Sequence, residues 1–126
     1  MEKGKLMYIS RALIIKTPWT DLILKGEKTW EIRGSKTNIR GTIGIIESGT
    51  GTIVGAVDLI DCIGPLSVEE MNKHGKKHQL ITPMYADEMP YPKTYAWVVD
   101  GPVKFKKPVP YNHPMGAVIW VNLDNT

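Results

Sequence analysis

Apolar and polar positions change rhythm several times along this chain. Ala12 to Lys16 is a short apolar run that predicts a buried strand. Thr17-Pro18 follows as a helix start, with Thr17 in the capping position and Pro18 at the first helical position. Trp19, Leu22 and Ile23 recur at helical spacing, and Gly26 suits the residue just past the helix end. From Thr29 the period becomes two, so Thr29, Glu31 and Arg33 face one side while Trp30 and Ile32 face the other. Gly34 and Ser35 open a polar loop that runs to Arg40. Thr42 to Ser48 and Thr52 to Cys62 read as strands joined through Gly49-Thr50-Gly51, a hairpin signature.

Ser67-Val68-Glu69-Glu70 has the form of a capping box and predicts a second short helix from about Val68 to His74, ended by Gly75. Lys76 to Lys93 holds three prolines and no clean period, which predicts a long ordered loop, and such loops often carry function. Tyr95 to Val99, Val103 to Lys106 and Ala117 to Leu123 read as closing strands. Many strands, two short helices and no alternation of strand and helix predict an α+β fold, a small, mostly antiparallel β-barrel.

Length and composition narrow the class. The 126 residues fit one domain, with a core from about 12 to 123, and leave no room for a second. Hydrophobic content of 42% with 23% charged residues excludes a disordered or fibrous chain. No apolar stretch is long enough to span a bilayer. The start of the chain, with Glu2, Lys3 and Lys5, lacks the features of a secretory signal, so cytoplasmic residence is expected. Cys62 has no second cysteine to pair with and reads as a small core hydrophobe. The net charge of +3 gives a slight lean toward an anionic partner, through Lys73, Lys76 and Lys77 and through Lys104, Lys106 and Lys107.

Gly26-Glu27-Lys28-Thr29-Trp30-Glu31-Ile32-Arg33 has the pattern G-x-K-x-x-E-x-R between a short helix and a strand. Pro18-Trp19 opens the preceding helix, Arg40-Gly41 leads into the next strand, and Tyr95-Ala96-Trp97 starts a late one. In this order the landmarks resemble the ASCH domain, a relative of the PUA-like RNA-binding folds, over nearly the whole chain. The resemblance implies a small β-barrel with a cleft between the helix end and the strand that carries the motif. Members of the family are proposed to bind RNA, and small bacterial relatives remove acyl groups from the exocyclic nitrogen of cytidine. In those relatives the lysine of the motif works with a threonine and a glutamate. Here the position of that threonine is held by Glu31, which excludes a threonine nucleophile there.

Lys28, buried in a cleft, would lose part of its charge and become a base or nucleophile near neutral pH; the plain alternative is an ammonium paired with Glu31. A regular pleat would put Lys28 and Glu31 on opposite faces, so they meet only if Lys28 precedes regular pairing or a bulge intervenes. Glu31 is the candidate to shuttle a proton or hold a water. Arg33, on the same face, is its anchor or a contact for a phosphate or carbonyl oxygen. Trp19 is the candidate for stacking on a base, whereas Trp30, Trp97 and Trp120 read as core. Tyr85, Tyr91 and Tyr95 flank the long loop, and one of them is a candidate pocket wall, with Tyr95 the candidate substrate contact. Thr17 is a candidate substrate contact or only a helix cap. His74 and His78 have metal-ligand spacing, but Gly75 lies between them and no third ligand is evident; no metal or other cofactor is expected. His113 sits in a turn that could edge the cleft.

These residues support three functions, in this order. The first is a metal-independent amidohydrolase acting on acylated cytidine-type nucleosides, with Lys28 and Glu31 catalytic and a nucleoside or nucleobase as partner. The second is a binding module for single-stranded RNA or a modified base, and the third a ribonuclease. No membrane partner is expected, and the sequence is silent on oligomeric state.

Overall fold

A computed structural model of the chain describes residues 9–123, so Glu2, Lys3 and Lys5 lie outside the described residues. Six strands form one mixed sheet: β1 (Arg11–Ile15), β2 (Trp30–Arg33), β3 (Gly41–Glu47), β4 (Thr52–Ile63), β5 (Tyr95–Pro110) and β6 (Trp120–Asn122), in the order β2-β5-β4-β3-β1-β6. Every pairing is antiparallel except β1 with β3. The register of β4 slips three times against β5, and such bulges bend and twist a strand pair, curling the sheet into a half-barrel. Short helices flank it: α1 (Trp19–Leu24), α2 (Val68–Lys73) and α3 (Gly75–His78). A 3₁₀ turn, Ala86–Glu88, lies in the long loop. Among the described residues no helix is long and apolar enough to cross a membrane.

The α+β half-barrel follows the sequence pattern closely, with four local differences, the first being that the closing strand expected over Ala117 to Leu123 is confined to Trp120–Asn122. The two segments expected around Tyr95–Val99 and Val103–Lys106 are one long strand. Gly101-Pro102 reads as a break, yet Gly101 at φ +59° takes up an extra residue where the register shifts between Ala56 and Asp58. Gly75 does not stop the helical path; it opens α3, a further single turn. Thr17 does not cap α1. The amides of Trp19 and Thr20 donate to the Lys16 carbonyl, so a turn before the helix already satisfies them.

The core has its largest cluster under α1, where Leu13, Ile15, Ile23, Ile45, Val57 and Trp97 are buried together. Helix α1 lies directly on β4 at Gly55, where a Cβ would come within 2.5 Å of the Val103 carbonyl oxygen and 2.6 Å of Leu24. A second cluster, with Trp30, Ile32 and Met71, seats α2 and the long loop against β2. Trp97 of β5 stacks on Trp120 of β6 with ring centroids 5.8 Å apart, joining strands that are distant in the sheet. Trp30 and Trp97 are buried core residues as expected, whereas Trp120, also read as core, is only half-buried and packs against the cluster that holds Trp97.

Candidate functional site

The end of α1 sets the motif in place. Gly26 adopts φ +80°, the Gly26 amide donates to the Ile23 carbonyl, and the Glu27 amide donates to that of Leu22. This pair of bonds is a Schellman motif, which turns the chain sharply out of the helix. The Lys28 amide also donates to the Leu22 carbonyl, at 3.0 Å, so Lys28 is fastened to the helix end before β2 begins at Trp30. Lys28 therefore precedes regular pairing. That resolves the conflict of faces, and its side chain reaches the same side as Glu31.

The Lys28 side chain is 2% exposed. Its ammonium donates to the main-chain carbonyl of His78, lies 4.0 Å from Glu31 Oε1 and sits 4.9 Å from the centroid of the Trp19 ring. Burial outweighs the help of Glu31, and the Arg33 charge adds to it, so the Lys28 pKa falls from 10.5 to about 8. The amine therefore titrates far closer to neutral pH than an ordinary lysine.

Glu31, 6% exposed, divides its two oxygens. Oε2 accepts from Arg33 Nε at 2.9 Å and pairs with the other side of the guanidinium at 2.8 Å, whereas Oε1 is turned toward Lys28. The same guanidinium donates to the Ile14 carbonyl at 2.8 Å and lies 5.7 Å from the Trp97 ring. Arg33 thus ties edge strand β2 to β1 across the open side of the half-barrel while it fixes the Glu31 carboxylate. It is an anchor.

These groups open into a cleft of about 310 Å³, within the range of small-molecule sites. Trp19, Lys28, Glu31 and Arg33 line it together with Lys16, Ser48, Tyr91 and Val118. Of the six residues given catalytic or substrate-binding roles from the sequence, Trp19, Lys28, Glu31 and Arg33 meet here and Thr17 and Tyr95 do not. Thr17 is exposed in the turn before α1, and Tyr95 packs against the core beneath α1. Tyr91 is the tyrosine that walls the cleft. Gly34 gives it room, because a Cβ there would lie 2.6 Å from the Tyr91 ring.

His78 has a part that its spacing from His74 hid. Its ring is fully buried; one nitrogen, Nδ1, accepts from the Leu80 amide at 3.0 Å, so Nε2 carries the proton and donates to the Met71 carbonyl at 2.7 Å. Burial holds its pKa below the ordinary histidine value. The neutral ring braces the segment whose carbonyl receives Lys28. His74 instead packs on Trp30, 4.8 Å between centroids, and among the described residues no three metal-ligating side chains converge. His113 borders a neighbouring cavity, with Nδ1 accepting from the Tyr111 hydroxyl at 2.7 Å and Nε2 donating to the Ala117 carbonyl at 2.9 Å.

A family model of the ASCH domain matches residues 13–109. No curated protein matches the sequence. Among solved structures, ASCH from Zymomonas mobilis is similar in fold, with a TM-score of 0.68 at 15% identity over 90% of this chain and 86% of that one. A tyrosine-to-phenylalanine variant of that protein gives 0.67 at 16% identity, covering 90% and 88% of the two chains. A serine-to-alanine variant gives 0.63 at 17%, covering 90% and 87%.

Proposed function

Because this chain belongs to the ASCH domain family, a fold suited to RNA binding or hydrolase chemistry, we propose that its cleft hydrolyses the amide of acylated cytidine-type nucleosides without a metal. The observation that carries this reading is the buried Lys28 amine, brought to a pKa of about 8 beside one oxygen of Glu31. An amine that titrates near the working pH is an effective general base. Lys28 Nζ takes a proton from water as the water oxygen adds to the acyl carbon. The tetrahedral adduct then collapses with cleavage of the carbon–nitrogen bond. The exocyclic nitrogen receives a proton from the Lys28 ammonium through Glu31 Oε1, so amide and water become carboxylic acid and free base. Arg33 holds Oε2 and leaves only Oε1 for the relay. Trp19 and Tyr91 supply aromatic walls for the base.

The test is release of cytidine from 4-N-acetylcytidine within a panel of acyl nucleosides. The protein turns over at least one member, and Lys28→Ala abolishes it; no turnover of any member by the native protein ends the reading. A second reading, binding of RNA or a modified base without chemistry, draws on Lys73, Lys76 and Lys77. They border a cavity that shares Leu80 with the cleft. It requires salt-dependent affinity for single-stranded RNA. Ribonuclease activity ranks third, since the cleft lining carries no histidine pair to act as acid and base.

A further inference from the structure

The cleft does not end at the base site. A second cavity of about 500 Å³ continues past it, between the Gly49–Gly51 turn and the segment that carries Tyr111 and His113. The two spaces share four wall residues: Ile14, Lys16, Ser48 and Val118. Two of these are polar, and the topology sets them side by side. Strands β1 and β3 run parallel with Ile15 opposite Glu47, and the Ser48 amide donates to the Ile15 carbonyl at 2.8 Å. Lys16 and Ser48 are therefore the next residues out from neighbouring strand ends, about one strand spacing apart.

Their chemistry is unspent. Among the described residues the Lys16 ammonium has no carboxylate partner and the Ser48 hydroxyl no hydrogen-bond partner. Glu47, set beside the end of β1 by the parallel pairing, accepts from the Thr20 hydroxyl instead. By contrast, the other two cations of the cleft, Lys28 and Arg33, are committed to Glu31 and to main-chain carbonyls. A free ammonium beside a free hydroxyl, at the junction of two cavities, suits a tetrahedral oxyanion.

We propose that Lys16 and Ser48 form a phosphate subsite, so that the molecule held in the cleft is a phosphorylated nucleoside rather than a free one. This rests on the reading of the first cavity as a nucleobase site and deepens it. The base lies by Trp19 and Lys28, the phosphate on Lys16 and Ser48, and the second cavity receives whatever follows the phosphate.

Binding of cytidine, cytidine monophosphate (3′ and 5′ isomers separately) and the dinucleotide CpC is compared by titration calorimetry on the whole chain. One phosphate isomer binds about ten-fold more tightly than cytidine, as one charge-assisted contact provides. Inorganic phosphate competes with that isomer but not with cytidine. Lys16→Gln brings the preference to about unity, and Ser48→Ala reduces it. CpC binding at least as tightly as the monophosphate assigns the phosphate to a polynucleotide; weaker binding assigns it to a free nucleotide. Cytidine binding as tightly as both monophosphates overturns the subsite alone, as does an undiminished preference in folded Lys16→Gln. If no probe binds, the nucleobase reading falls with it.

Discussion

Replacing Lys28 by methionine, a flexible apolar side chain of similar length, should change how stability depends on pH. The Lys28 pKa is about 8 in the folded protein, against 10.5 for an ordinary lysine. An unfolded Lys28 keeps its proton up to about pH 10.5, whereas the folded one releases it near 8, so the unfolded state binds more protons between those values. Stability then rises with pH across that window. Below the folded pKa the full cost is present, about 3 kcal/mol for a shift of this size. Near pH 10 most of it has been relieved, so the native protein gains about 2–3 kcal/mol relative to Lys28→Met between about pH 7 and pH 10. Methionine also leaves the His78 carbonyl without its donor, but that loss is the same at both pH values and cancels in the comparison. Urea unfolding of both proteins at the two pH values measures the difference directly. Parallel profiles, or a native protein that loses ground as pH rises, would refute the burial argument.

Further outcomes follow from the same geometry. The kcat/KM of the native protein on its acyl nucleoside should climb through about pH 8 and level off above it, as a base of that pKa requires; a flat profile contradicts the role given to Lys28. Glu31→Gln keeps the shape but not the charge, and should lower kcat by about 10²-fold or more with little change in KM, read from steady-state kinetics. Gly34→Ala drives a methyl group against the Tyr91 ring and should weaken nucleoside binding several-fold, with the fold intact by circular dichroism. His78→Leu orphans the Leu80 amide and the Met71 carbonyl, and should cost about 2–4 kcal/mol in urea unfolding.

The parts of this molecule legible in its sequence are those with local causes. The capping box at Ser67 forms with both of its bonds. The glycine at 26 ends α1, and the two-residue alternation from Thr29 sorts Glu31 and Arg33 to the cleft and Trp30 and Ile32 to the core. The spacing of the G-x-K-x-x-E-x-R pattern marks the base of the cleft because helix end, lysine and strand are consecutive. What stayed hidden depends on contacts between distant segments. Lys28 meets the His78 carbonyl across fifty positions of sequence, and no local pattern announces a main-chain acceptor. Lys16 and Ser48 look like ordinary strand ends until the parallel pairing of β1 and β3 sets them together. Tyr91 rather than Tyr95 reaches the cleft because Tyr95 begins β5 and is drawn into the core beneath α1, a matter of register that a list of tyrosines does not contain.

The most direct test is a pH titration of the Lys28 side chain itself, followed by NMR of the protein with ¹³C-labelled lysine and assigned by the loss of its signal in Lys28→Met. The midpoint is expected at about 8, well below the ordinary lysine value of 10.5. A midpoint close to 10.5 would show the amine open to water and would contradict both the base chemistry and the closed environment it depends on.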